Sequence, residues 1–219
     1  MRLSLIMLAG ILVYANSLYA ERETLTVKAT ELPALDVTIE PDGDTRLSIH
    51  YKLSNNLDHD IYVFTPILTY DREKKKRLPD PGRVYVSWQA NQDKGAIRLS
   101  KQLWPIPELL EVYAPEVPYL TRLLPGDSLQ ENLSIDLPLK IDYPYMSAFS
   151  KKKDASVPVQ VPAHAVVFAI GYVSGEPGAL RLEPTQNGNF TIPYGIGITY
   201  QKFVERRLDM NVLVVSDIE

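Results

Sequence analysis

Hydrophobic and polar residues alternate along much of this chain, and that period of two predicts strands. In Leu129–Leu137 the odd positions are Leu129, Glu131, Leu133, Ile135 and Leu137, and the even positions are Gln130, Asn132, Ser134 and Asp136. One face is wet and the other turns inward, as in a half-buried strand. Arg46–Leu53 repeats the pattern, with Leu47, Ile49, Tyr51 and Leu53 facing in. Phe190–Tyr200 is predicted as a further strand, with Phe190, Ile192, Tyr194, Ile196, Ile198 and Tyr200 on one face. Pro193 removes a ladder donor and places that strand at an edge or bulge. Ile61–Tyr70 and Val166–Val173 are apolar on both faces, as central strands are. Shorter strands are expected at Leu35–Ile39, around Val84, Val86 and Trp88, and at Val212–Val215.

Turn chemistry separates these runs. Asn55-Asn56-Leu57-Asp58 joins Arg46–Leu53 to Ile61–Tyr70, and the pair reads as a hairpin. Pro41-Asp42-Gly43-Asp44, Pro125-Gly126-Asp127 and Gly175-Glu176-Pro177-Gly178 each combine a pre-set corner with a residue that accepts positive φ. Only Pro107–Tyr113 reads as helical, with Pro at its start and an acidic first turn; Pro115 and Pro118 keep it short. Asp142–Pro162 is the least regular stretch and is expected as a long surface loop. The predicted class is all-β, an elaborated antiparallel β-sandwich with one short helix in a crossing segment.

The first twenty residues change the picture. Arg2 precedes an apolar run from Leu3 to Ala15, and Asn16-Ser17-Leu18-Tyr19-Ala20 follows. That order predicts a secretory signal peptide over residues 1–20, cleaved to leave Glu21 first. The run is shorter than the roughly 20 apolar residues of a spanning helix, so no stable membrane span is expected after processing. The mature chain, residues 21–219, is read as one domain with insertions. It would be one unit more acidic than the formal charge of −4 of the whole chain, because Arg2 is lost. A general nucleic-acid footprint is basic, so nucleic acid is not an expected partner. There is no Cys, which excludes disulfides, thiolate metal sites and a Cys nucleophile. The expected location is the periplasm or the exterior.

The paired segments Arg46–Leu53 and Ile61–Tyr70, the Pro125-Gly126-Asp127 turn before an alternating strand, and the doubly apolar strand at Val166 resemble an immunoglobulin-like or fibronectin-like sandwich. The resemblance is one of pattern over most of the mature chain. It implies a fold and no activity.

Candidate chemistry is sparse. His50, His59 and His164 lack the spacing of a metal motif. Asp42-Gly43-Asp44 lacks the later oxygen ligands of a calcium loop, and no Gly-x-Ser-x-Gly elbow occurs. No metal, cofactor or catalytic residue is expected. Basic runs at Arg72–Arg77 and Lys151–Lys153 read as solvated loop tips, or as contacts for an anionic surface. The strongest contact candidates are Trp104, Leu110, Tyr113 and Tyr119, in a crossing segment stiffened by Pro105, Pro107, Pro115 and Pro118. The expected function is a non-enzymatic interaction module that meets a protein of the cell envelope through loops. A carbohydrate- or lipid-binding module using aromatic and basic loops is the alternative, and a hydrolase the third.

Overall fold

The computed structural model describes residues 32–71, 73–89, 95–146 and 159–216. The predicted leader, Arg72 and Lys151–Lys153 lie outside them. Fourteen strands are described: β1 (Ala34–Asp42), β2 (Arg46–Ser54), β3 (Ile61–Phe64), β4 (Ile67–Asp71), β5 (Lys76–Asp80), β6 (Tyr85–Trp88), β7 (Ala96–Lys101), β8 (Leu120–Leu123), β9 (Ser128–Asp136), β10 (Leu139–Lys140), β11 (Val159–Ser174), β12 (Glu183–Pro184), β13 (Phe190–Thr191) and β14 (Lys202–Ser216). Two short helices, α1 (Pro177–Leu180) and α2 (Tyr194–Tyr200), complete the described elements. The protein is all-β and sandwich-like.

One sheet has the order β1-β2-β9, antiparallel throughout. The other is built on β11, which pairs with β14 along its length, with β7 in parallel and with β3 at its C-terminal end. β8 continues outward from β3, and β6 from β7. The sheets meet over one apolar cluster. Leu35, Leu47, Ile49 and Leu53 come from the first, and Ile61, Val63, Val166, Phe168, Ile170 and Val214 from the second. The rings of Tyr51 and Phe168 lie 5.1 Å apart across the gap. Alternation therefore placed the inward faces of β2 and β9 correctly. Being apolar on both faces also has its reason: Ile61 and Val63 face this cluster, while Tyr62 and Phe64 face a second one with Leu103, Leu120, Val173, Leu180 and Ile192.

Several expectations need correction. β2 and β3 do not form a hairpin; β2 pairs with β1 and β9, and β3 with β8 and β11. The buried Asn55 directs the crossing between sheets. Its side-chain amide donates to the carbonyls of His59 at 2.9 Å and Leu123 at 3.0 Å, and its oxygen accepts from the Leu57 N–H. The run to Tyr70 also breaks at Pro66, which has no N–H to continue a ladder.

Phe190–Tyr200 is not one strand. After β13 the chain turns into α2, with Pro193 at its N-cap. The apolar set contains the i,i+4 pair Tyr194/Ile198, which packs with Ile196 against the second cluster, while Tyr200 is left exposed. Pro107–Tyr113 is not helical either. Only a single turn closes there, from the Leu110 N–H to the Pro107 carbonyl, and Leu109 is 97% exposed. A helix so short needs a tertiary face to bury, and this one has little.

Finally, the terminal strand is the long β14 rather than Val212–Val215 alone, and β11 begins at Val159, inside the expected loop. Charged residues between Glu205 and Asp209 hide the inward set of Val204, Leu208, Met210, Val212 and Val214.

Candidate functional site

The crossing segment between β7 and β8, residues 102–119, carries all four contact candidates. Its two ends are tied down by different means. At the first, Gln201 clamps Leu103: the Leu103 N–H donates to Oε1 at 2.8 Å, and Nε2 donates to the Leu103 carbonyl at 3.0 Å. Trp104 follows, stacked on Tyr143 with centroids 4.8 Å apart and set edge-on to Tyr85 at 6.1 Å. The Tyr194 hydroxyl donates to the Trp104 carbonyl and accepts from the Ile106 N–H at 2.5 Å.

The second end is held by charge. The Glu116 carboxylate accepts from the Tyr85 hydroxyl at 2.7 Å and lies 3.6 Å from Arg77 and 3.7 Å from Arg83. Arg83 also donates to the Leu68 carbonyl at 2.5 Å and pairs with Asp142 at 3.2 Å. Burial, and then the Glu116 carboxylate, push the Tyr85 phenol far above its usual range. The Tyr119 N–H donates to the Pro66 carbonyl at 3.1 Å.

Between these anchors the segment stands out into solvent. Tyr113 is 105% exposed and Leu109 is 97% exposed, with Glu108 and Glu111 exposed beside them. The four candidates thus separate. Tyr113 is at the free apex, Leu110 is half-buried below it, and Tyr119 is half-buried at the base. Trp104 is an internal anchor with its rings already engaged. Sequence reasoning missed Leu109. The clue was the Leu109-Leu110 pair in a proline-bounded stretch, where one of two adjacent side chains must turn outward.

Sequence reasoning also missed a buried polar cluster. Lys101 ends β7 with its side chain fully buried, and its Nζ lies 2.5 Å from Glu131 Oε2, 2.6 Å from the Pro81 carbonyl and 3.2 Å from Thr65 Oγ1. The Tyr51 hydroxyl donates to the same Glu131 oxygen, and Thr65 Oγ1 donates to the other at 3.2 Å. Burial lowers the Lys101 pKa, while Glu131 acts in the opposite direction. Burial, then Glu131, raise that of Tyr51. Every donor of the ammonium is engaged and its side chain has no exposed surface, so the cluster cross-ties the two sheets. Its signal was visible in the pattern: Glu131 occupies the inward face of an otherwise apolar strand.

The remaining candidates stay apart. His50 pairs with Asn132 on the outer face of the first sheet, His59 with Asp58 in the crossing loop, and His164 lies on β11, its N–H donating to the Gly95 carbonyl. Among the described residues no group of three His, Asp or Glu could hold a metal ion. Of the Arg72–Arg77 run, the described residues 73–77 form the tip of the β4–β5 hairpin and the start of β5, where Asp71 accepts from the N–H groups of Glu73 and Lys74. An open hollow of about 750 Å³ lies beside the end of β9, lined by Val84, Val86, Ile135, Leu137, Lys140 and Asp142 among others. Among the described residues no helix is long and apolar enough to cross a membrane.

Comparison with protein-family models, with curated proteins and with solved structures finds no match to this chain. What stands is the class: an all-β, sandwich-like protein with one anchored crossing segment.

Proposed function

We propose that this chain is an exported, non-enzymatic interaction module that holds a protein partner of the cell envelope through the apex of its crossing segment. The observation that carries the proposal is the pairing of a rigid base with an exposed apolar tip. Leu109 and Tyr113 lie open to water, while Trp104, Glu116 and Tyr119 fix the segment on either side. A tip already held in place loses less entropy on binding. Aromatic side chains at such positions are common anchors. Glu108 and Glu111 border the tip, so the complementary surface is an apolar pocket with a basic rim.

The fold reading belongs to the same proposal. The order β1-β2-β9 over β14-β11-β3-β8 supports a fibronectin-like sandwich, with residues 65–119 inserted between β3 and β8. The carbohydrate alternative draws less support, because Trp104, its natural stacking platform, is already stacked on Tyr143.

Two experiments test the proposal. N-terminal sequencing of the exported chain should begin near Glu21; an intact Met1 would defeat the export reading. A photo-crosslinking side chain at Tyr113 in the native host should trap one discrete envelope protein, and Leu109→Ser should abolish that adduct. If crosslinks from Thr38, exposed on β1, gave the same adduct, the apex would not be the contact surface.

A further inference from the structure

We infer that the outer edge of β9 is a self-complementary pairing surface on which a second copy of this chain docks, joining two three-stranded sheets into one of six strands. The inference is independent of the crossing segment.

The register fixes which backbone groups are free. The Asn55 N–H donates to the Asp127 carbonyl at 2.9 Å, and the Leu137 N–H to the Thr45 carbonyl at 2.7 Å, at the two ends of the β2–β9 ladder. Residues of odd number in β9 therefore direct their N–H and C=O groups toward β2, because bonded pairs alternate along an antiparallel ladder. Gln130, Asn132 and Ser134 direct theirs outward, and none of the described residues pairs with them there. The ladder runs from Ser128 to Asp136 without a bulge.

The edges of β1, β14 and β6 are guarded. Arg206 Nε caps the Leu35 carbonyl on β1 at 2.9 Å, and Pro41 sits in the same strand. β14 presents Lys202, Glu205, Arg207 and Asp209. Asp142 bridges the outer side of β6 through Val86. Charges, prolines and covers of this kind prevent edge pairing. On β9 the outward side chains flanking the centre are Gln130, Asn132 and Ser134, exposed and uncharged.

A second copy is the occupant because the strand complements itself. An antiparallel pair centred on Asn132 sets Gln130 against Ser134 of the second copy, and Ser128 against its Asp136. No like charges face each other directly. On the inner face the half-buried Leu129 meets Ile135 of the second copy, covering both. Asn132 accepts from His50 through Oδ1, which leaves its amide donors free on the axis. A two-fold interface of this type is closed and self-limiting.

Analytical ultracentrifugation of the mature chain, with Asn132→Lys and Thr38→Lys variants, tests the inference. The native chain and Thr38→Lys should form dimers. Asn132→Lys, which opposes two ammonium groups on the axis, should weaken dimerisation at least about tenfold. The absence of native cysteine permits a second measurement that does not depend on that variant. Asn132→Cys should crosslink under mild oxidation, since the Cα atoms of a directly opposed bonded pair lie about 5.5 Å apart, within disulfide reach. Thr38→Cys should not. A native chain that stays monomeric into the hundred-micromolar range, or an Asn132→Cys chain that crosslinks no faster than Thr38→Cys, would overturn the inference. A dimer unaffected by Asn132→Lys would overturn it too.

Discussion

Lys101 and Glu131 form an ion pair 2.5 Å long between the two sheets, with the lysine side chain wholly buried and that of the glutamate 16% exposed. An ammonium in such a place is held by its partner and by the carbonyl of Pro81. Removing one partner strands the other's charge or hydrogen-bonding groups inside the fold. Glu131→Ala or Lys101→Ala should therefore cost about 3–5 kcal/mol, read as a fall in the urea midpoint. Lys101→Met combined with Glu131→Leu should cost much less than the two single alanine changes together, because no charge remains to be stranded. Additive losses would show that the two residues act separately.

The same cluster shapes the response to alkali. Tyr51 and Tyr85 are both buried beside a carboxylate, and both hold their phenolic protons well above the ordinary tyrosine value of about 10. Above that value the unfolded chain releases these protons and the folded chain keeps them, so stability falls as pH rises. Lys101 acts oppositely: its folded pKa is lowered, so its contribution rises with pH up to the ordinary lysine value and is constant beyond it. The two phenols outnumber the one amine, and their effect continues beyond that point. Denaturation midpoints should decline above about pH 10. Tyr85→Phe, which removes the phenol facing Glu116, Arg83 and Asp142, should flatten the decline; an unchanged slope would reject the assignment.

The strands of this fold were legible where one face is apolar and the other polar. β2 and β9 could be read residue by residue, because burying Leu47, Ile49 or Leu133 requires that register. Pairing was not legible. The link after β2 looks like any polar turn, and only the buried Asn55, bonded to His59 and Leu123, shows that it crosses between sheets. β14 was hidden because an edge strand tolerates charge on its outer face. At the candidate site, the prolines and aromatics marked a segment with held ends and an exposed apex, but not the division of labour within it. Trp104 became an anchor because Tyr143, far away in sequence, supplies a ring to stack on. Among the described residues Tyr113 has no such neighbour.

Two glycines of α2 should respond in opposite ways to the same substitution. A methyl group on Gly195 would meet nothing within 4 Å, whereas on Gly197 it would lie 2.6 Å from Leu103 Cδ2 and 3.2 Å from Ile192 Cγ2. Alanine is favoured over glycine in a helix by about 1 kcal/mol. Gly195→Ala should therefore raise the melting temperature. Gly197→Ala should lower it, because that gain is outweighed by pushing α2 away from the second apolar cluster. If both variants were stabilised, the close approach of α2 to Leu103 would be wrong.

Anchor and tip of the crossing segment should separate in the same kind of measurement. Trp104 packs against Tyr143 and Tyr85, and replacing a well-packed Trp by Ala typically costs about 3–5 kcal/mol. Its partial exposure places the expected loss at the lower end of that range. Leu109 and Tyr113 touch water almost everywhere, so Leu109→Ser and Tyr113→Ser should change stability by no more than about 0.5 kcal/mol. Thermal melts of the three variants give the comparison directly. The expected order is one large loss and two near-zero changes, with the native melting temperature kept by both tip variants. A large loss from Tyr113→Ser would mean that the ring is buried in the protein in solution, and the segment would then be a lid over the sheet. An unperturbed Trp104→Ala would mean that the base is not held, and the apex would lose the rigidity that suits it to binding.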